Sequence, residues 1–126
     1  MTFKDVKKFV DEHIEMIILG PTAHREALEK ATKFLVVRAI LSEYKFNLEK
    51  RLSQAGTVRE ASYAQVFSES DAKNVTEKKL VAEASPFYSE KREAAEEIAS
   101  EISWVKAQME IFNDAHIVYR SMARET

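Results

Sequence analysis

The sequence predicts an all-α chain dominated by two long helices, and three observations predict it. Only 2 glycines and 2 prolines occur in 126 residues, too few for the turns that sheets and long loops consume. Residues 22–55 and 86–124 return apolar side chains in alternating steps of three and four, with little to break either run. Hydrophobic residues make up 45% of the chain, enough for the core of one domain. The expected architecture is an antiparallel helical hairpin or coiled coil, with a short N-terminal helix and a short helical middle region.

Residues 1–19 read as a short amphipathic helix. Thr2 with Asp5 resembles a capping pair, Phe3, Val6, Val10, Ile14, Ile17 and Ile18 form one stripe, and Gly20-Pro21 ends it. The stripe suits either a third element of the core or a docking arm for a partner. His13 stands beside Glu12 and Glu15, but no Glu-x-x-His occurs anywhere, which counts against a ferritin-like di-metal bundle.

In residues 22–55, Phe34, Leu41, Leu48 and Ala55 recur at sevens with Val37, Tyr44 and Leu52 between them, and Leu28 and Leu35 widen the stripe. Residues 57–84 read as a small helical head. Thr57 with Glu60 forms a capping box for a helix over residues 58–67, the polar run 68–71 is a loop, and Asn74 with Glu77 begins a segment ending at Ala84.

Ser85-Pro86 opens the last helix, because proline at the first helical position lacks a donor that would go unpaired there anyway. Its seam consists of Tyr88, Ala95, Ile102, Met109, His116 and Ala123 at sevens, with Ile98, Val105, Phe112 and Tyr119 three beyond. A rod of about forty residues, roughly 60 Å at 1.5 Å per residue, cannot bury that seam alone. A second stripe of Trp104, Ile111, Ala115, Val118 and Met122 faces either another helix of the chain or another subunit, and a homo-oligomer interface is the expectation adopted. His116 sits in the main seam as a core histidine, with no serine, cysteine or acid placed to make a triad.

Charge is unevenly spread although the net is −2. Residues 21–56 hold seven basic side chains against four acids, and residues 85–126 hold five against eight. Mutual attraction of the two rods explains this economically. The sharper explanation takes Lys45, Lys50, Arg51, Arg59, Lys73, Lys78 and Lys79 as a phosphate-tracking patch, with Tyr44, Phe46, Tyr63 and Phe67 as base-stacking platforms. An oligomer would multiply a patch that is weak on one chain.

Zero cysteines exclude disulfides, thiolate catalysis and cysteine-ligated zinc, and fit a reducing cytoplasm. The first twenty residues carry both signs of charge, unlike a secretory signal, and no apolar run is long enough to span a bilayer. Nothing supplies a nucleophile, a metal cluster or a glycine-rich phosphate loop, so neither an enzyme nor a cofactor is expected.

The order of parts resembles the UvsY-type recombination mediators encoded by tailed phages, over roughly residues 25–124. The resemblance lies in a basic helical first half, the stretch Val75-Thr76-Glu77-Lys78-Lys79-Leu80-Val81-Ala82-Glu83, and a long last helix carrying Ile102-Ser103-Trp104-Val105 and ending in Tyr119-Arg120-Ser121-Met122-Ala123-Arg124. It implies a ring-like homo-oligomer that binds single-stranded DNA in the host cytoplasm and helps a recombinase displace single-strand-binding protein. The competing expectation is a helical adaptor or assembly chaperone that binds other proteins and never touches nucleic acid. The two differ in whether the middle-region lysines share a face with the aromatics.

Overall fold

A computed structural model describes residues 1–20 and 23–124. The described residues form four helices and no strand: α1 (Phe3–Leu19), α2 (His24–Glu69), α3 (Val75–Ala84) and α4 (Pro86–Arg124). The expected all-α class is what the chain adopts. No helix among them is long and apolar enough to cross a membrane. Pro21 and Thr22, expected to end the first helix and begin the second, lie outside the described residues.

α1 begins with the expected capping box. The Asp5 N–H donates to Thr2 Oγ1 at 3.2 Å and the Thr2 N–H donates back to Asp5 Oδ2 at 3.0 Å. The Thr2 N–H foremost, and the Thr2 hydroxyl after it, hold the Asp5 carboxyl below its ordinary range. A carboxylate depressed in the folded state stabilises above its unfolded pKa, so this cap weakens as pH falls through the folded value. Gly20 closes α1 at φ 68°, a left-handed conformation that glycine adopts without penalty.

α2 corrects the sequence reading. It runs unbroken to Glu69, where residues 22–55 were expected to stop and a separate helix to occupy residues 58–67. Thr57 does not cap a new helix; its hydroxyl donates back to the Ser53 carbonyl at 3.1 Å. The seam continues through the expected break in steps of four and three: Leu48, Leu52, Ala55, Arg59, Ser62 and Val66 are all buried or half-buried. Ser62 is buried there, its hydroxyl satisfied by the Val58 carbonyl at 2.8 Å. Leu28 and Leu35, expected to widen the stripe, are exposed; Ala27 and Ala31 take the buried positions.

The chain leaves helix at residues 70–74, as the polar run suggested, although the helix extends two residues further than expected. Asn74 caps α3 by accepting the Glu77 N–H at 2.9 Å. Ser85 ends α3 with an extended ψ of 127°, the conformation a following proline favours, and its carbonyl accepts the Ser89 N–H at 2.9 Å to open α4.

The chain divides into two compact units. Unit 1 comprises residues 1–46 and 103–126, so its described helices are α1, the first part of α2 and the last part of α4. In it α2 and α4 run antiparallel: the His24 ring donates from Nδ1 to the Met122 carbonyl at 2.8 Å, and His116 Nδ1 donates to the Ala31 carbonyl at 2.8 Å. Phe34 lies between Phe112 and Tyr119, with ring centroids at 6.0 and 5.1 Å. α1 lies along α4 in the parallel sense, Phe3 edge-on to Trp104 at 5.3 Å and the Ile17 carbonyl accepting the Tyr119 hydroxyl at 2.7 Å. With Val6 and Val10 fully buried, α1 belongs to the core of this unit. Lys30 completes it, donating to the Met16 and Gly20 carbonyls at 3.3 and 2.9 Å at the negative end of the α1 dipole.

Unit 2 comprises residues 47–102 and packs the rest of α2, all of α3 and the start of α4. Its buried side chains are few: Leu48, Ser62, Ala82, Ala95 and Ile102.

Two predictions follow from these packings. Gly56 has no left-handed backbone and nothing within 4 Å of a built Cβ. Gly56→Ala should therefore raise stability by about 0.5–1 kcal/mol in urea denaturation, whereas a helix end at Gly56 would make it neutral or harmful. Tyr119→Phe should cost about 0.5–1.5 kcal/mol and raise amide exchange in the last turn of α1, because it removes the hydroxyl that ties Ile17.

Candidate functional site

The eleven candidate nucleic-acid residues fall in both units. Unit 1 holds Tyr44, Lys45 and Phe46, and unit 2 holds Lys50, Arg51, Arg59, Tyr63, Phe67, Lys73, Lys78 and Lys79. They do not form a single strip within unit 2. Lys50 and Arg51 are exposed on α2, but Arg59 is half-buried on the seam, and at 3.6 residues per turn it stands about half a turn out of phase with Lys50. Lys73 and Lys79 are exposed at and beyond the start of α3. Acids interleave with all of them, and residues 47–102 carry eight basic against eleven acidic side chains, a net of −3.

Two of the four aromatic candidates, Tyr63 and Phe67, are engaged with each other. Tyr63 and Phe67, four residues apart on α2, stack with ring centroids at 6.3 Å, and Tyr63 meets Tyr88 edge-on at 5.2 Å. The Lys78 ammonium sits 5.7 Å over the Phe67 ring, a cation–π contact that joins α3 to α2. Both rings are half-buried. Tyr44 is half-buried at its heptad position, and Phe46 is the one aromatic candidate that is mostly exposed, at 57%.

The five candidate assembly residues are divided too. Trp104 is half-buried against Phe3, with Lys7 5.9 Å over its ring, and Ala115 is buried, so this part of the stripe meets α1 of the same chain. Ile111, Val118 and Met122 remain 42%, 49% and 38% exposed. One helix face thus serves the core at some positions and presents large apolar side chains to solvent at others.

Sequence reasoning missed an open groove of about 310 Å³ in unit 1, lined by Arg38, Lys45, Lys106, Met109, Glu110, Asn113 and Asp114. Its signal lay in spacing: Arg38 and Lys45 are seven apart, and Lys106, Glu110 and Asn113 follow in steps of four and three. Three cations at one groove between α2 and α4 make a positively biased, chemically mixed concavity. Each histidine ring is already committed to a backbone carbonyl, His13 to Phe9 at 2.7 Å besides His24 and His116, and no group of three or more His, Asp or Glu gathers to hold a metal among the described residues.

Set against protein-family models, curated proteins and solved structures, the chain matches none.

Proposed function

We propose that the chain is a non-enzymatic helical binding protein that works as a homo-oligomer. The observation that carries this is the apolar row Ile111, Val118 and Met122, left open on the same helix that builds the core of unit 1. Burying each such side chain is worth about 1.5–3 kcal/mol, an incentive to associate. Ile111→Asp should shift the protein toward monomer in analytical ultracentrifugation while circular dichroism stays helical. A wild type that is monomeric at tens of micromolar would remove the self-association reading.

The ligand we propose for the assembly is single-stranded DNA, in the manner of the phage recombination mediators that the chain resembles, with a recombinase and a single-strand-binding protein as further partners. Exposed Lys50, Arg51, Lys73 and Lys79 support it, together with the mostly exposed Phe46. A dispersed set of cations gives weak, salt-sensitive, sequence-tolerant binding per chain, and repetition around an oligomer strengthens it. Lys50→Ala with Arg51→Ala should weaken binding to a long single-stranded oligonucleotide and flatten its salt slope. Failure of an assembled wild type to bind that oligonucleotide at low salt would leave the helical adaptor, which binds only proteins. That second reading has its own support in the net −3 of unit 2 and in the mutual packing of Tyr63, Phe67 and Tyr88.

A further inference from the structure

The side of unit 1 that α1 does not cover combines apolar and cationic side chains on two helices. On α4, Lys106, Glu110, Asn113, Ile117, Arg120 and Arg124 follow one another in alternating steps of four and three, and so share a face. On α2, Leu28, Leu35, Arg38 and Lys45 recur in steps of seven and three, and Arg38 and Lys45 line the groove. The groove itself is formed by Arg38 and Lys45 with Lys106, Met109 and Glu110. Leu28 and Ile117 are more than half exposed, and Leu35 is 44% exposed. The two faces together hold five cations against Glu110 and the adjoining Asp114.

A face of the opposite character lies on the first half of α4, in unit 2. Phe87, Glu90, Ala94, Glu97 and Glu101 follow in steps of three, four, three and four. All are exposed except Glu101, which is half-buried, and Phe87 is 45% exposed. This is an amphipathic helical face with two apolar side chains and three carboxylates, bordered by Lys91, whose ammonium sits 5.8 Å over the Phe87 ring, and its excess of acid is complementary in charge to the groove face. Residues 87–101 and residues 106–124 belong to one unbroken helix, which cannot fold back on its own side.

We infer that the acidic face of α4 in one copy, from Phe87 to Glu101, docks on the cationic groove face of unit 1 in a second copy. The inference rests on the self-association proposed above, but it uses a surface separate from the Ile111–Val118–Met122 row. The contact joins unlike faces, so like-charged copies of either face repel and the register between copies is set by charge, with the apolar side chains buried at its centre.

The test is a charge swap read by sedimentation velocity on the full chain at low ionic strength, with circular dichroism to establish that each variant is folded. Lys106→Glu with Arg120→Glu should weaken association at least about tenfold, as should Glu97→Lys with Glu101→Lys, because each makes the two faces alike. Mixed in equal amounts, the two variants should associate again, since each then offers the face that the other lacks, and added salt should weaken both the wild-type and the mixed assembly. Association by either variant alone at the wild-type level, or failure of the mixture to associate, overturns the contact. If the charge variants associate normally while Ile111→Asp is monomeric, self-association survives through the apolar row and only the docking is wrong. A wild type that is monomeric at low salt overturns both.

Discussion

The packing of Phe34 between Phe112 and Tyr119 is the constraint on which unit 1 depends. All three positions belong to heptad seams, so their contact fixes the register of α2 against α4 to within one turn. Tyr119 then carries that register to a third helix, since the ring that closes on Phe34 has a hydroxyl bound to the carbonyl of Ile17. His116, one turn before Tyr119, locks the same register by donating to Ala31. A slip of α4 by one turn would break three aromatic contacts and three hydrogen bonds together, those of Trp104 with Phe3 and of Met122 with His24 included. Truncating a fully buried phenylalanine typically costs about 3–5 kcal/mol, and here the loss would reach α1 as well as the α2–α4 seam.

Legibility followed from how the seam was written. The start of α4 could be placed to the residue because Ser85-Pro86 punctuates it, and most of its seam positions carry large apolar or aromatic side chains. The second half of α2 was illegible for the converse reason. Its seam is continued by Ala55, Arg59 and Ser62, which hide a heptad, while Gly56-Thr57 imitates a stop. Glycine costs only ~1 kcal/mol within a helix, and a helix of 46 residues absorbs it when both neighbouring turns are packed. The exchange of Leu28 and Leu35 for Ala27 and Ala31 has the same origin. Hydrophobicity ranks leucine first, but the buried positions here are held by small side chains and the larger ones are turned outward.

The candidate site was less legible than the fold. Sequence gives which residues are basic or aromatic, but not which rings spend their faces on each other. Tyr63, Phe67 and Tyr88 come from two helices separated by a third, and their contact depends on the unbroken α2 that the sequence concealed. The apolar row on α4 was visible as a stripe, yet its division into covered and open positions depends on where α1 lies. Phe3 reaches Trp104 and Ala115 is buried, while Ile111 and Val118 of the same stripe stay exposed.

Three helices cannot enclose a seam from every side. In unit 1, α1 fills one of the two furrows between α2 and α4, and the other stays open as the groove at Arg38 and Lys106. In a monomeric three-helix protein such a furrow is ordinarily closed by long polar side chains lying over small ones. Here Leu28, Leu35 and Ile117 lie beside it and are exposed, so the furrow combines the cationic rim of a solvated surface with the apolar content of a helix-packing surface. Charge alone at such a site would be screened within about a Debye length, ~8 Å at physiological ionic strength, and apolar content alone would choose no partner. Combined, they select a helix that brings carboxylates and a few apolar side chains on one face. The α4 segment from Phe87 to Glu101 has that composition, which turns the uneven distribution of charge along this nearly neutral sequence into a directional property of the molecule.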